Sequence, residues 1–144
     1  MKESLKPGLT HSKTVQVDES RCIGFMGKEG AVYATPRMVS DVEYTCREFL
    51  LEHLDAGEDS VGAHVSIDHL APTPMGLSAT IELSVAEVDR RKVVFTFSVK
   101  DPVEEVGRGR HVRFVVDTAK TRERLAAKRA KAASPRTWPR CPAR

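Results

Sequence analysis

The sequence predicts an α+β domain in which one long amphipathic helix packs against an antiparallel β-sheet. One uninterrupted segment has apolar residues at helical spacing, and four later segments alternate apolar and polar residues. The connections between these four segments are short, which favours an antiparallel meander over parallel crossover units. The length of 144 residues suits one domain, and contents of 40% apolar and 30% charged residues exclude collagen-like and low-complexity classes.

The part of the chain before the helix begins with a strand and continues as an irregular stretch. Residues 11–17 are rich in β-formers and partly alternate, so we predict a first strand there. Residues 18–34 contain three glycines and show no period, which predicts a loop. Thr35 can then cap a helix with Pro36 in its first position, and Gly57 can end that helix.

The helix is predicted from Arg37 to Leu54, a run without glycine or proline. Its apolar side combines two neighbouring stripes at helical spacing, so one carboxylate lies among otherwise apolar positions. The stripes contain Met38, Val42, Thr45 and Phe49 on one side, and Val39, Glu43, Cys46, Leu50 and Leu54 on the other.

Four strands are predicted over 61–69, 77–88, 93–99 and 106–116. The first of these has one apolar face made by its odd-numbered positions, and His69 ends that face. A single sheet covers only one side of the helix, so we expect a homodimer to cover the rest. The apolar face of the last strand is predicted to consist of Val112, Phe114 and Val116.

The C-terminal segment is basic, whereas the rest of the chain is acidic. Residues 119–144 hold nine Lys or Arg and one Glu, a net charge of +8, and the remaining residues carry −5. We place the end of the domain, 1–118, before this segment and predict a basic helix over 119–133 and a disordered tail over 134–144. We interpret the segment as a solvated charged tail, and an arm that binds nucleic acid or an anionic surface is the alternative. Only 6% of the residues are aromatic, which leaves little material for a base-stacking surface and disfavours a nucleic-acid partner.

The sequence shows no targeting or metal-binding pattern. No run of about 18 apolar residues exists and the first ten residues have no apolar core, so we expect neither a membrane span nor a secretory signal. Cys22, Cys46 and Cys141 are far apart, which predicts neither a disulfide framework nor a thiolate metal site. We therefore expect a reducing cytoplasm and no bound metal.

Two ionisable residues interrupt the apolar faces. Glu43 lies in the helix stripe and His69 on the strand face, so both point between the layers if these faces pack together. A buried carboxylate must be paired or protonated, and a facing imidazole would meet that need and supply acid–base chemistry. The alternatives are a Glu that reaches solvent, a structural His, and a Thr35 that only caps the helix. No comparable pattern surrounds His11, His53, His64 or His111.

The order of elements and several residues resemble one family of thioesterases. The matching pattern covers about residues 10–118. It consists of Val32-Tyr33-Ala34-Thr35, Glu43 in the long helix, Gly62 and His69 before a turn at Gly76, and Gly107-x-Gly109-x-His111. In these features the chain resembles the fluoroacetyl-CoA thioesterase group of the hot-dog-fold thioesterases.

The resemblance implies a hot-dog fold, in which an antiparallel sheet wraps around the central helix and two subunits form one continuous sheet. It implies hydrolysis of an acyl-CoA thioester, with coenzyme A as part of the substrate and no separate cofactor. It assigns catalysis at the dimer interface to Thr35, Glu43 and His69, and contacts with the substrate to Gly62 and Tyr33.

Several points stay open at this stage. Thr35 and Glu43 lie eight residues apart, roughly 12 Å along one helix, so they serve one carbonyl only if the preceding loop folds back or opposite subunits supply them. Glu43 could be a general base or a nucleophile. The family's phenylalanine lid is not matched around Tyr33, with Phe25 and Met26 upstream, so we expect a short- or medium-chain acyl-CoA as substrate. A non-enzymatic acyl-CoA-binding module is the alternative, and the pairing of two dimers is also open.

Overall fold

The computed structural model describes residues 1–134, 139 and 142 of the chain. In these residues five strands and two long helices follow one another, with a short 3₁₀ turn between the first strand and the first helix. The elements are β1 (Thr10–Gln16), α1 (Thr35–Leu51), β2 (Glu58–His69), β3 (Ser78–Asp89), β4 (Lys92–Lys100), β5 (Glu105–Asp117) and α2 (Thr118–Ala133).

The five strands form one antiparallel sheet in the order β1-β3-β4-β5-β2. Helix α1 lays its apolar side on this sheet, and burial of each large apolar side chain contributes about 1.5–3 kcal/mol. The approach is close, because a Cβ at Gly107 of β5 would lie 2.6 Å from the Sδ of Met38. The predicted α+β architecture is therefore confirmed. The buried residues of α1 are Met38, Val42, Thr45, Cys46, Phe49 and Leu50.

The boundaries of α1 differ slightly from the prediction. Ala34 is the residue that caps the helix, and no side chain accepts a hydrogen bond from the first turn. Thr35 is instead the first helical residue, so its hydroxyl is free to reach the sheet. The helix ends at Leu51, three residues before Leu54.

Strand β2 does not keep the alternation that the sequence predicts. Val61 pairs with Phe114, but Val65 pairs with His111, because a bulge between Gly62 and His64 shifts the register. The two partners on β5 are three positions apart, so Val61 and Val65 lie on opposite faces of the sheet. The prediction of one continuous odd-numbered face was wrong. The residues facing α1 are Ser60, Gly62, Val65, Ile67 and His69.

The predicted apolar face of β5 is also reversed. His111 and Arg113 point towards α1, since Arg113 contacts Glu43, whereas Val112 and Phe114 point to the other side. Phe114 is exposed on that outer surface. Alternation gave the correct strand but the wrong face, because both faces of β5 carry large side chains.

Strand β2 lies at one edge of the sheet and is exposed to solvent over residues 61–66. Two valines of this strand, Val61 and Val65, are 46% and 39% exposed. Such a long edge has unpaired backbone groups that favour pairing with another strand. This surface agrees with the expected second subunit, which stays a prediction.

The basic helix α2 spans Thr118–Ala133, within one residue of the predicted 119–133. It has no buried residue, and the side chain of Asp117 accepts a hydrogen bond from the backbone N–H of Lys120 at its start. Most of the predicted disordered tail, 134–144, lies outside the described residues, and the domain boundary at 118 stays a prediction. Within the part of the chain that the structure describes, no helix is long and apolar enough to cross a membrane.

Candidate active site

Two groups of polar side chains lie along α1 where it faces β2 and β5. The first joins Thr35, at the start of the helix, to His69, at the end of β2. The second surrounds Glu43, two helical turns further on, and includes Arg113 of β5. Each group opens into its own pocket.

In the first group the Oγ1 of Thr35 lies 2.7 Å from the Nδ1 of His69. The other ring nitrogen, Nε2, is buried and has no hydrogen-bond partner within the described residues. Burial lowers the pKa of His69, so the imidazole is neutral at neutral pH. A neutral imidazole with one nitrogen held and the other free can exchange a proton with a bound molecule. The adjacent pocket has a volume of about 330 Å³.

Tyr33 forms part of the wall of this pocket and is almost completely buried. Its hydroxyl donates a hydrogen bond to the carboxylate of Asp41, which also accepts two bonds from Arg21 at 2.9 and 3.2 Å. Burial, together with this hydrogen bond, raises the pKa of Tyr33. The hydroxyl is therefore neutral and engaged, and the surface that Tyr33 can offer a ligand is its ring.

In the second group the Oε1 of Glu43 lies 3.4 Å from the Nη1 of Arg113. The Glu43 side chain is 45% exposed and the Arg113 side chain only 4%. Gly62 lies against the carboxylate, because a Cβ built there would be 2.3 Å from Oε1. A glycine is thus required for the carboxylate to occupy this place. The pocket in front of it measures about 440 Å³ and is also lined by Tyr44 and Arg47.

Arg113 is held by a buried network. Its Nε donates to the Ser60 hydroxyl at 2.8 Å and its Nη2 to the Ser60 carbonyl oxygen at 2.7 Å. Its Nη1 lies 3.2 Å from the Nε2 of His111, whose Nδ1 lies 2.8 Å from the carbonyl oxygen of His64. Arg113 and Ser60 were not predicted from the sequence as site residues, and His111 had no predicted role. The alternation of Gly107, Gly109, His111 and Arg113 along one face of β5 was the signal that could have found them.

The two groups do not meet within one chain. Thr35 and Glu43 are separated by roughly 12 Å along the helix, and Gly62 and His69 by roughly 20 Å along β2. The expectation that Glu43 and His69 converge between facing layers is therefore not met inside a single protomer. In one chain of this structure the two groups therefore line separate pockets.

Comparison with known proteins places this architecture in a family. The sequence model of the fluoroacetyl-CoA-specific thioesterase FlK matches residues 17–119. The fluoroacetyl-CoA thioesterase of Streptantibioticus cattleyicolor is 33% identical over 97 residues, which cover 67% of this chain and 70% of that protein. The chain belongs to the fluoroacetyl-CoA-specific thioesterase family.

Solved structures agree with this family assignment. A crystal structure of a single-substitution mutant of the fluoroacetyl-CoA-specific thioesterase FlK matches with a TM-score of 0.81 and 26% identity, over 88% of this chain and 99% of that one. A thioesterase-superfamily protein from Thermus thermophilus shares the fold, with a TM-score of 0.77 and 23% identity over 88% and 96% of the two chains. The hot-dog fold expected from the sequence is confirmed.

The match to the fluoroacetyl-CoA-specific thioesterase family spans all five predicted site residues and the network around Arg113. It ends at residue 119, at the start of α2, so the basic helix lies outside the matched region. Among the described residues no group of three or more His, Cys, Asp or Glu is placed to hold a metal ion.

Two imidazoles, the buried His111 and the half-buried His69, predict a pH-dependent stability. Burial lowers the pKa values of His69 and His111 below the ordinary 6.5. Below pH 6.5 the unfolded chain therefore binds protons that the folded chain does not, and the free energy of unfolding falls as the pH is lowered. The loss begins above the range of the carboxylates, whose ordinary pKa values are 3.8 and 4.5.

Urea unfolding at about pH 7.5 and about pH 5.5 checks this expectation. The midpoint is expected to fall at the lower pH, and the fall should be smaller in His69→Ala than in the wild-type protein. A midpoint that stays constant or rises over this interval would contradict the lowered pKa values of these two imidazoles.

Proposed function

We propose that this protein hydrolyses short- or medium-chain acyl-CoA thioesters to the free acid and coenzyme A. Membership of the fluoroacetyl-CoA-specific thioesterase family confirms the thioester-hydrolase class predicted from the sequence. The observation that carries the proposal for the site is the hydrogen-bonded pair of Thr35 and His69, both of which line a small pocket. A single-substitution mutant of a relative, FlK, was crystallised in complex with fluoroacetate and CoA.

The proposed active site is composite. Glu43 of one protomer would act together with Thr35 and His69 of its partner, because these residues are too far apart in one chain. The exposed edge of β2 supports this arrangement. If two copies pair antiparallel about a two-fold axis between residues 65 and 66, Gly62 of one copy lies opposite position 69 of the other. Glu43, which touches Gly62, then lies next to the imidazole of the second copy.

The chemistry of hydrolysis can be assigned to these groups. Glu43 removes a proton from water, whose oxygen attacks the thioester carbon, and the C–S bond then breaks. If the Thr35 hydroxyl donates to Nδ1 of His69, the Nε2 of that ring carries a proton and can donate a hydrogen bond to the departing thiolate. The proton that Glu43 took from water passes through solvent to this thiolate, which leaves as the thiol of coenzyme A. Direct attack by Glu43, giving a mixed anhydride that water cleaves, is the other route.

Gly62 and Tyr33 complete the proposal as substrate contacts. With no side chain, Gly62 lets the thioester carbonyl approach the backbone, where an N–H can stabilise the oxyanion. The ring of Tyr33 lines the pocket beside Thr35, which is small enough to suit a short acyl group. We also propose a cytoplasmic location, with which the free thiols of Cys22 and Cys46 agree.

A panel of acyl-CoA substrates tests the proposed function. Acetyl-, fluoroacetyl-, butyryl- and longer acyl-CoA esters are incubated with the protein, and the released coenzyme A is detected as free thiol. We expect steady turnover with a preference for the shorter chains. Binding of acyl-CoA in a calorimeter without any release of thiol would instead identify the protein as a non-enzymatic acyl-CoA-binding module.

A further inference from the structure

We propose that His111 is a positioning residue that holds Arg113 against the carboxylate of Glu43. The inference rests on the proposed function in one respect, since it takes Glu43 to be the group that acts on the thioester. It concerns a residue that lies behind the pocket and does not line it. His111 is 2% exposed, so substrate cannot reach it.

The contacts of His111 determine where its proton lies. Its Nδ1 is 2.8 Å from the carbonyl oxygen of His64, which can only accept, so Nδ1 carries the hydrogen. Its Nε2 is 3.2 Å from the Nη1 of Arg113, which can only donate, so Nε2 presents a lone pair. The surroundings therefore select the neutral tautomer with its hydrogen on Nδ1. A second proton, on Nε2, would place a positive charge against the guanidinium of Arg113.

The orientation of Arg113 depends on this lone pair. Two of its nitrogens are bound by Ser60, through contacts of 2.8 and 2.7 Å. The remaining nitrogen, Nη1, faces both His111 and Glu43, and its distance of 3.4 Å to the carboxylate is long for a hydrogen bond. The shorter contact to the imidazole therefore limits where Nη1 can lie, and with it the position of the charge next to Glu43.

The same ring also supports the strand that makes room for the carboxylate. The carbonyl oxygen that His111 binds belongs to His64, directly after the β2 bulge. The Cε1 of His111 lies 3.4 Å from the place where Gly62 would carry a Cβ. One buried imidazole thus contacts the cation on one side of Glu43 and the backbone on the other.

Two substitutions of His111 separate its contacts. In His111→Gln the amide oxygen can reach the position of Nε2 and accept from Arg113. In His111→Asn the shorter amide can still donate to the His64 carbonyl, but Nη1 of Arg113 loses its shortest contact and keeps only the longer ones to Glu43, at 3.4 and 3.5 Å. We expect His111→Asn to lower kcat about 10- to 100-fold with KM changed less than about twofold, and His111→Gln to retain most of the activity.

A measurement without substrate makes the test independent of the proposed function. In NMR spectra selective for arginine side chains, the Nη1–H signals of buried Arg113, which report its contact with His111, should persist in His111→Gln and be lost or broadened in His111→Asn. Urea unfolding identifies any general loss of stability.

Three results would overturn the inference. These are an Arg113 signal that is equal in both variants, wild-type kcat in His111→Asn, or an equal loss of kcat in both variants that follows their loss of stability. If the wild-type protein releases no thiol from any acyl-CoA, the proposed function fails, and the arginine signal alone decides the role of His111.

Discussion

Replacing Glu43 with Gln is expected to lower kcat for acyl-CoA hydrolysis by about 100-fold or more, the scale expected when a general base or nucleophile is removed. The amide keeps the size of the side chain and can still accept from Arg113, so the fold should be retained. The rate of thiol release is the measurement. Glu48→Gln is the matched control, since that residue lies on the same helix but pairs with Lys13 on the exposed side.

His69→Ala is expected to have an effect of similar size, because it removes the imidazole that lines the pocket beside Thr35. His53→Gln serves as the control, since His53 binds Ser4 outside both pockets. Both site variants must retain the wild-type oligomeric state and unfolding midpoint for the comparison to hold. Wild-type rates in Glu43→Gln and His69→Ala would remove the site assignment.

Mixing these two inactive variants is expected to restore activity. In a composite site, a mixed dimer of Glu43→Gln and His69→Ala contains one site with both residues intact. Random exchange makes half of the dimers mixed, each with one intact site of two, so about one quarter of the wild-type activity should return. The measurement is thiol release after the two proteins are unfolded and refolded together.

The control for this experiment is a chain that carries both substitutions. Mixed with Glu43→Gln, the double variant supplies no intact Glu43 and no dimer can contain a complete site, so the mixture should stay inactive. If the two single variants also remain inactive together while forming mixed dimers, each site lies within one protomer. That result would require α1 or the loop before it to move so that Glu43 reaches His69.

Much of the fold follows from local patterns in the sequence. The run without glycine or proline after Pro36 predicted α1, and the alternating segments predicted five strands to within a few residues. The spacing of Thr35, Glu43, Gly62 and His69, through a family resemblance, predicted the hot-dog fold and the thioesterase class. The helix and the strands could be predicted because their formation depends on residues that are neighbours in the chain, and this effect is visible without tertiary structure.

What the sequence by itself determined is the type of each element and the residues that interrupt the apolar patterns. Only the tertiary structure decided which face of β2 meets the helix, because a one-residue bulge after Gly62 changes the face without changing the composition. It also decided the face of β5, since both faces of that strand carry large side chains. It also brought Arg113 and His111 behind Glu43, since residues 70 and 68 positions apart in the chain become neighbours only when β5 packs on α1. The buried Arg113 guanidinium is stable there because each of its nitrogens has a hydrogen-bond partner. These partners lie on α1, β2 and β5, and no local sequence pattern shows that they meet.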